Sequence, residues 1–295
     1  MSDMTLGHPL ATVGEAGAEQ TARKPDPGAR GQWWRFTVIL IVTVITLVPI
    51  AAVIILSLRP ALGSTTTGDW TLENFQIVFE QTGVATWLYN SLWVTLVTVL
   101  ISVAVAAPAG YVLSRARNKL VSGYSLLLFV IQSLPVVTAI IPLFILFAQL
   151  GLVDNLYGVM IIYVGSTLSV ATWMMAAYYD SIPITLEEAA WMDGCSVLGS
   201  FMRIVLRNSL PGILSTAIFS FLLAWNEYLV AAVFLRSDQT FTLQIGLQTF
   251  FQQNATNWGL VMAVAVVMML PPVIIFAFLN KHFSVGGIGG SLAGR

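Results

Sequence analysis

The sequence predicts an all-α membrane protein with six transmembrane helices, both termini in the cytoplasm, and a cytoplasmic helix–turn–helix between spans four and five. Three observations carry that prediction. Hydrophobic residues make up 57% of the 295 and charged residues only 9%, against about 25% charged in a soluble globular domain. The apolar residues gather into six runs, each close to or above the ~20 residues a helix needs to cross ~30 Å of hydrocarbon. Basic residues, finally, fall almost entirely on one side of the alternating loops.

Residues 1–32 are polar and rich in Gly, Ala, Pro and Thr, the composition of a disordered tail. A cleaved signal peptide would carry its apolar run nearer the start, followed by a small-residue cleavage site. The run at 33–58 is therefore expected to stay as an uncleaved first span. Five more runs follow at 88–113, 124–150, 156–178, 210–235 and 258–279. The membrane domain is thus expected over 33–285, with a glycine-rich cytoplasmic tail at 286–295. Pro49, Pro108, Pro135, Pro142, Pro271 and Pro272 lie in or near these runs. Membrane helices tolerate proline where neighbours or water satisfy the freed carbonyls; such residues either kink a span or shape a pathway.

Orientation follows from Lys and Arg. Arg23, Lys24, Arg30, Arg35, Arg115, Arg117, Lys119, Arg203, Arg207, Lys281 and Arg295 share one side, and only Arg59 and Arg236 lie on the other. The positive-inside rule places the first side in the cytoplasm. The outer loop at 59–86 holds Asp69, Glu73 and Glu80, and the outer loop at 236–257 is rich in Gln, Thr and Asn.

Composition also bounds the chemistry. A net charge of −1 gives no electrostatic reason to expect a nucleic-acid partner. The lone cysteine, Cys195, cannot form an internal disulfide, and the two histidines, His8 and His282, stand near opposite ends. No cluster has metal-ligand spacing and no serine triad has its histidine. No G-x-x-x-x-G-K-[ST] phosphate loop occurs, so any nucleotide belongs to another chain.

The polar insert at about 181–210 is the most informative stretch. Pro183 marks a boundary, and Thr185 with Glu188 fits a capping box. Ala189 and Ala190 favour helix and leave little bulk. Gly194 is placed to end that helix in a left-handed cap, and Ser196 to cap a second. In the second helix Val197, Phe201, Ile204 and Val205 recur at helical spacing, with Arg203 and Arg207 off the stripe. Pro211 falls where the chain re-enters the membrane. Spacing alone allows either a surface linker or a handle for a soluble partner.

Glu188-Ala189-Ala190, Asp193-Gly194, then Phe201, Ile204 and Leu206 closely resemble the EAA loop of ABC importer permeases. The resemblance extends to Leu72-Glu73-Asn74-Phe75, Asn90-Ser91-Leu92, Ala224-Trp225-Asn226-Glu227-Tyr228, and Trp258-Gly259 with Met262-Ala263. It covers roughly 33–295 and is similar above all to the carbohydrate-type, MalG-like branch. Arg207 stands where the family usually has proline, while Pro211 keeps the second proline. The tail at 286–292 aligns only loosely.

The resemblance implies a permease subunit of an ATP-driven importer in the bacterial plasma membrane, moving a sugar or oligosaccharide by alternating access. It implies a homologous second permease, two cytoplasmic ATPase subunits that hold ATP and magnesium, and an extracytoplasmic solute-binding protein. The chain itself would be no enzyme and would hold no cofactor. Glu187, Glu188, Ala189, Ala190, Asp193, Gly194, Phe201, Ile204 and Leu206 would form the ATPase-coupling loop. Glu187, Glu188 and Asp193 offer carboxylates to basic residues of the ATPase, and Phe201 a possible anchor. A sugar pathway needs amide and aromatic side chains, for which Tyr89, Asn90, Gln132, Trp225 and Asn226 are candidates. Glu227, the one ionisable residue well inside an apolar run, either faces the pathway or a partner, or makes a structural hydrogen bond near the outer boundary. A glycerol phosphate ester is an alternative solute. A secondary transporter would show ionisable groups in several spans and inverted repeats.

Overall fold

A computed structural model describes residues 29–60, 70–116, 118–251 and 256–283. Most of the tail expected at 1–32 and all of that expected at 286–295, with Asp69 of the first outer loop, lie outside the described residues. Among those described, every regular element is helical. The chain divides into two compact units, Met1–Pro49 and Ile50–Arg295. In the first, the described residues form most of α1 (Ala29–Ser57), an apolar helix that passes through Pro49 unbroken.

The second unit continues with α2 (Glu73–Gln81), α3 (Val84–Arg115), α4 (Lys119–Ser133), α5 (Val136–Gln149) and α6 (Leu156–Asp180). Next come α7 (Thr185–Met192), α8 (Val197–Ser200), a π turn (Phe201–Val205) and α9 (Leu206–Asn208). The unit closes with α10 (Leu210–Trp225), α11 (Leu229–Phe234), α12 (Leu243–Gln248) and α13 (Trp258–Phe283). Two of these, α2 and α12, are short helices inside the stretches expected as outer loops.

Among the described residues, four helices are long and apolar enough to cross a bilayer: α1, α3, α6 and α13. The count rises to six if each of two sharply bent pairs is one span. The expected six transmembrane helices fall within this range of four to six. The run at 124–150 is split into α4 and α5 at a 94° bend. Pro135 causes it: it has no N–H to give, and its ring pushes Leu134 out of the helical region to ψ 122°. Pro49, Pro108, Pro142, Pro271 and Pro272 all sit within continuous helices, so of these six prolines only Pro135 breaks one. The run at 210–235 is also split, because α10 ends at Trp225 and α11 begins at Leu229.

The scaffold is built on α3 and α6, which pack along each other more extensively than any other pair. Small residues permit this approach: Ala106, Ala107, Ala171 and Ala176 are all buried there, as expected for helices that must pack without large side chains. Gly110 is the closest point. A Cβ there would lie 2.7 Å from Met175 Cβ and 2.9 Å from the Ala176 nitrogen and the Thr172 oxygen. Ser102 and Thr167 share a buried hydrogen bond of 2.7 Å across the same seam. At the Arg115 end, one apolar cluster joins Tyr111 of α3, Met175 and Tyr179 of α6, and Phe201 and Val205 of the π turn.

Candidate functional site

The insert folds as a helix–turn–helix, and its turn follows from the sequence. At the end of α7, Gly194 takes φ 87°, a conformation in which a Cβ is costly. Its N–H donates to Trp191 O at 3.0 Å, and that of Cys195 to Ala190 O at 2.9 Å. This is the paired-bond left-handed cap that satisfies the last carbonyls of a helix. Ser196 caps α8, its Oγ accepting from the Gly199 N–H at 3.1 Å. The π turn follows, with the Leu206 N–H reaching back to Phe201 O, and α10 leaves at 73° with Pro211 in its first turn.

The start of α7 departs from expectation. Its cap position is Ile184, already helical, with no side-chain bond; Thr185 and Glu188 form no capping box. The turn begins at Pro183, whose carbonyl accepts from Leu186. Proline's fixed φ starts the helix early, which leaves Thr185 inside it.

The elbow has two faces. Glu188, Ala189, Trp191, Met192, Asp193, Gly194, Val197, Leu198 and Met202 are exposed. Glu187, Ala190, Ser200, Phe201 and Val205 are buried, and Ile204 and Leu206 are half-buried. Two expectations are corrected here. Glu187 is not an outward carboxylate: it is 0% exposed, accepts from Tyr111 OH at 2.5 Å, and pairs with Arg115 Nε at 2.7 Å. Phe201 is not an outward anchor either; its ring lies 4.6 Å from that of Tyr111. Arg115 also donates through Nη2 to Ile182 O at 3.0 Å and through Nη1 to Ser114 Oγ at 3.1 Å. Ser114 in turn donates to Asp180 at 2.5 Å. Sequence reasoning missed Tyr111 and used Arg115 only for orientation. The signal available was their spacing of four, which puts both on one face at the end of α3.

The pathway candidates divide. Asn90 is buried and donates to Gln239 O and Phe241 O at 2.9 Å each, so its amide is occupied in tying α3 to the 235–242 segment. Trp225 is 1% exposed, stacked on Phe221 at 5.5 Å, with its indole N–H turned to Met268 O. Its carbonyl accepts from Gln244 Nε2. Neither side chain is open to a solute. Tyr89 and Gln132 are exposed on different helices. Gln132 borders a cavity of about 380 Å³ in the bend between α4 and α5, with Ser166 and Phe147 on its walls.

Asn226 and Glu227 stand at the break between α10 and α11. They line an open groove of about 600 Å³ with Phe219, Leu222, Leu223 and Leu229. The Glu227 carboxylate accepts from the Val230 N–H at 3.1 Å through either oxygen, and from Ala231 at 3.4 Å. It therefore caps α11, taking up helix-start donors that the broken span would otherwise leave bare. The structural hydrogen bond is the one of the two earlier readings that has a geometry here, and the carboxylate keeps a face on the groove.

A second unforeseen residue is Asp154, at φ 56°. Its carboxylate accepts from the Arg236 and Ser237 N–H groups at 2.9 and 3.1 Å and from the Ser237 and Thr240 hydroxyls at 2.7 and 2.5 Å. Partial desolvation raises its pKa, but these donors, Thr240 first, outweigh that and hold it well below the usual carboxylate range. The Asp154 N–H donates to Phe234 O at 2.8 Å, so the loop before α6 and the segment after α11 form one unit.

Long apolar helices, two bent pairs and a polar elbow with one buried face are the build of a polytopic membrane protein. Residues 102–285 match the family described as binding-protein-dependent transport system inner membrane component, and the chain belongs to that family. It is 33% identical over 228 residues to inner membrane ABC transporter permease protein YcjP of Escherichia coli (strain K12), covering 75% of this chain and 81% of that one. It is 31% identical over 229 residues to maltodextrin transport system permease protein MdxG of Bacillus subtilis (strain 168), covering 77% and 82%. The fold matches a chain in the crystal structure of a bacterial ABC transporter involved in import of the acidic polysaccharide alginate. That match has a TM-score of 0.69 at 23% identity, over 88% of this chain and 99% of that one. The chain is a multi-pass permease component of the inner membrane.

Proposed function

We propose that this chain is the permease subunit of an ATP-driven importer for a sugar or oligosaccharide. In this reading both bent pairs contribute to six spans, both termini are cytoplasmic, and the elbow docks on a separate ATPase that holds ATP and magnesium. A homologous permease completes the conduit and an extracytoplasmic binding protein delivers the solute. The observation that carries it is the two-faced elbow, with its inner face set against α3 and α6 and its outer face open and apolar.

Magnitudes favour apolar docking. A surface pair made by Glu188 or Asp193 is worth about 0–1 kcal/mol. Fully covering one side chain such as Met192, 88% exposed, is worth about 1.5–3 kcal/mol. Ala189 on the same face lets a partner approach closely. The solute class is supported by the maltodextrin relative and by the fold shared with the alginate importer. The Asn226–Glu227 groove, lined by these two polar side chains and by apolar ones, suits a hydroxyl-bearing solute or the second permease.

Affinity purification of the tagged chain from its native membrane tests this. A phosphate-loop ATPase, a second permease and a solute-binding protein that takes up members of a sugar panel are expected with it. Recovery without any ATPase would refute the proposal.

A further inference from the structure

We infer that Glu187, Tyr111 and Arg115 form a latch that makes the elbow and the adjoining ends of α3 and α6 move as one body. Glu187 is then a positioning residue of the coupling, not a contact to the ATPase. The inference rests on the docking role proposed above and says how a push on the elbow reaches the spans.

Both Glu187 oxygens are engaged within the chain, one by Tyr111 and one by Arg115. The side chain is wholly buried, so no partner can reach it without breaking the network. The Arg115 guanidinium spends its three nitrogens on three targets. Nε holds Glu187 of α7, Nη2 holds the Ile182 carbonyl beyond the end of α6, and Nη1 holds Ser114 of its own helix. Through Ser114 the network returns to Asp180, the last residue of α6. Tyr111 adds the second half of the elbow: its hydroxyl takes Glu187 while its ring packs on Phe201. Two side chains one helical turn apart on α3 thus grip both limbs of the helix–turn–helix. Arg115 and Glu187 form an ion pair whose carboxylate is wholly buried. Burying it would be a poor way to gain stability alone; fixing one geometry is what a hydrogen-bonded buried pair does well. The neighbouring Glu188 is exposed, so adjacent carboxylates divide the inner and outer tasks.

The test is a distance that the latch should hold constant. Nitroxides are placed at Thr185→Cys on α7 and Val112→Cys on α3, both exposed positions, in a Cys195→Ser background. The full complex with its partner subunits is measured without nucleotide and with ATP and vanadate. One narrow distribution, the same in both states, is expected. Glu187→Gln should broaden it and make it shift on nucleotide addition, and Tyr111→Phe, which removes one hydroxyl and leaves the charges, should do so less. A distance that shifts in the parent protein overturns the latch, as does an unchanged distribution in both variants. If Glu187→Gln does not assemble, Tyr111→Phe decides alone. The docking reading is judged separately by Ala189→Trp on the outer face, which should lose ATPase capture. Retained capture overturns that reading and the coupling role with it, whatever the distance shows.

Discussion

Replacing Gly194 by alanine, asparagine and valine separates backbone conformation from bulk at the turn of the elbow. Nothing lies within 4 Å of a Cβ at this position, so added atoms meet no neighbour inside the chain. What the substitution does meet is φ 87°, at a cost of roughly 1–2 kcal/mol for an ordinary L-residue in the left-handed region. That cost falls on the two bonds that close the turn, Gly194 N–H to Trp191 O and Cys195 N–H to Ala190 O. The formed turn should become about 5–30-fold less favoured. Asparagine tolerates this region far better, although it is larger than alanine. The expected order of loss is therefore valine, then alanine, with asparagine close to the parent. Capture of the ATPase subunits by the purified permease, titrated in nanodiscs, reads it directly. If asparagine is as damaging as valine, the position is sensed by a partner through its bulk, and the backbone argument is refuted.

Further predictions concern the α3–α6 contact, the Asp154 loop and the outer face of the elbow. Gly110→Ala should lower stability by about 1–3 kcal/mol, because Ala176 N and Thr172 O are backbone and cannot give way; thermal unfolding in detergent checks it, and an unchanged midpoint contradicts the close α3–α6 contact. Asp154→Asn should cost about 2 kcal/mol near neutral pH by removing a charged acceptor of several bonds. Since the folded pKa lies below the ordinary value near 4, the contribution is complete above that value and fades as pH falls through the folded pKa. Parent and variant should therefore converge in acid, and a gap that widens there would contradict the sign. Met192→Ala should weaken ATPase capture by about tenfold or more, and Glu188→Gln by less than about fivefold; the reverse order would make docking electrostatic.

Apolar spans were legible because crossing a bilayer needs only length and composition, and the runs at 88–113 and 156–178 became α3 and α6 nearly as expected. Breaks were not, because Pro108 and Pro135 are the same residue type and only Pro135 leaves its predecessor extended. The glycine and serine of the elbow were readable since each acts on its own backbone. The inward turn of Glu187 was not: its partners lie 72 and 76 positions away, and nothing local distinguishes it from Glu188. Asn90 and Trp225 looked like solute ligands by type, yet their polar atoms are spent on carbonyls of distant segments. Asp154 required a positive φ that an aspartate seldom advertises.

The π turn at Phe201–Val205 sets the phase of everything after it. One residue more than an ordinary helical turn is accommodated there, which keeps Phe201 and Val205 both inward before the chain swings into α10. Winding that extra residue as ordinary α-helix instead would rotate the downstream helix by about 100°. The face that now carries Thr216 toward Met175 would then point elsewhere. Length in this short stretch is thus as constrained as identity, and chimeras of related permeases should be joined outside it.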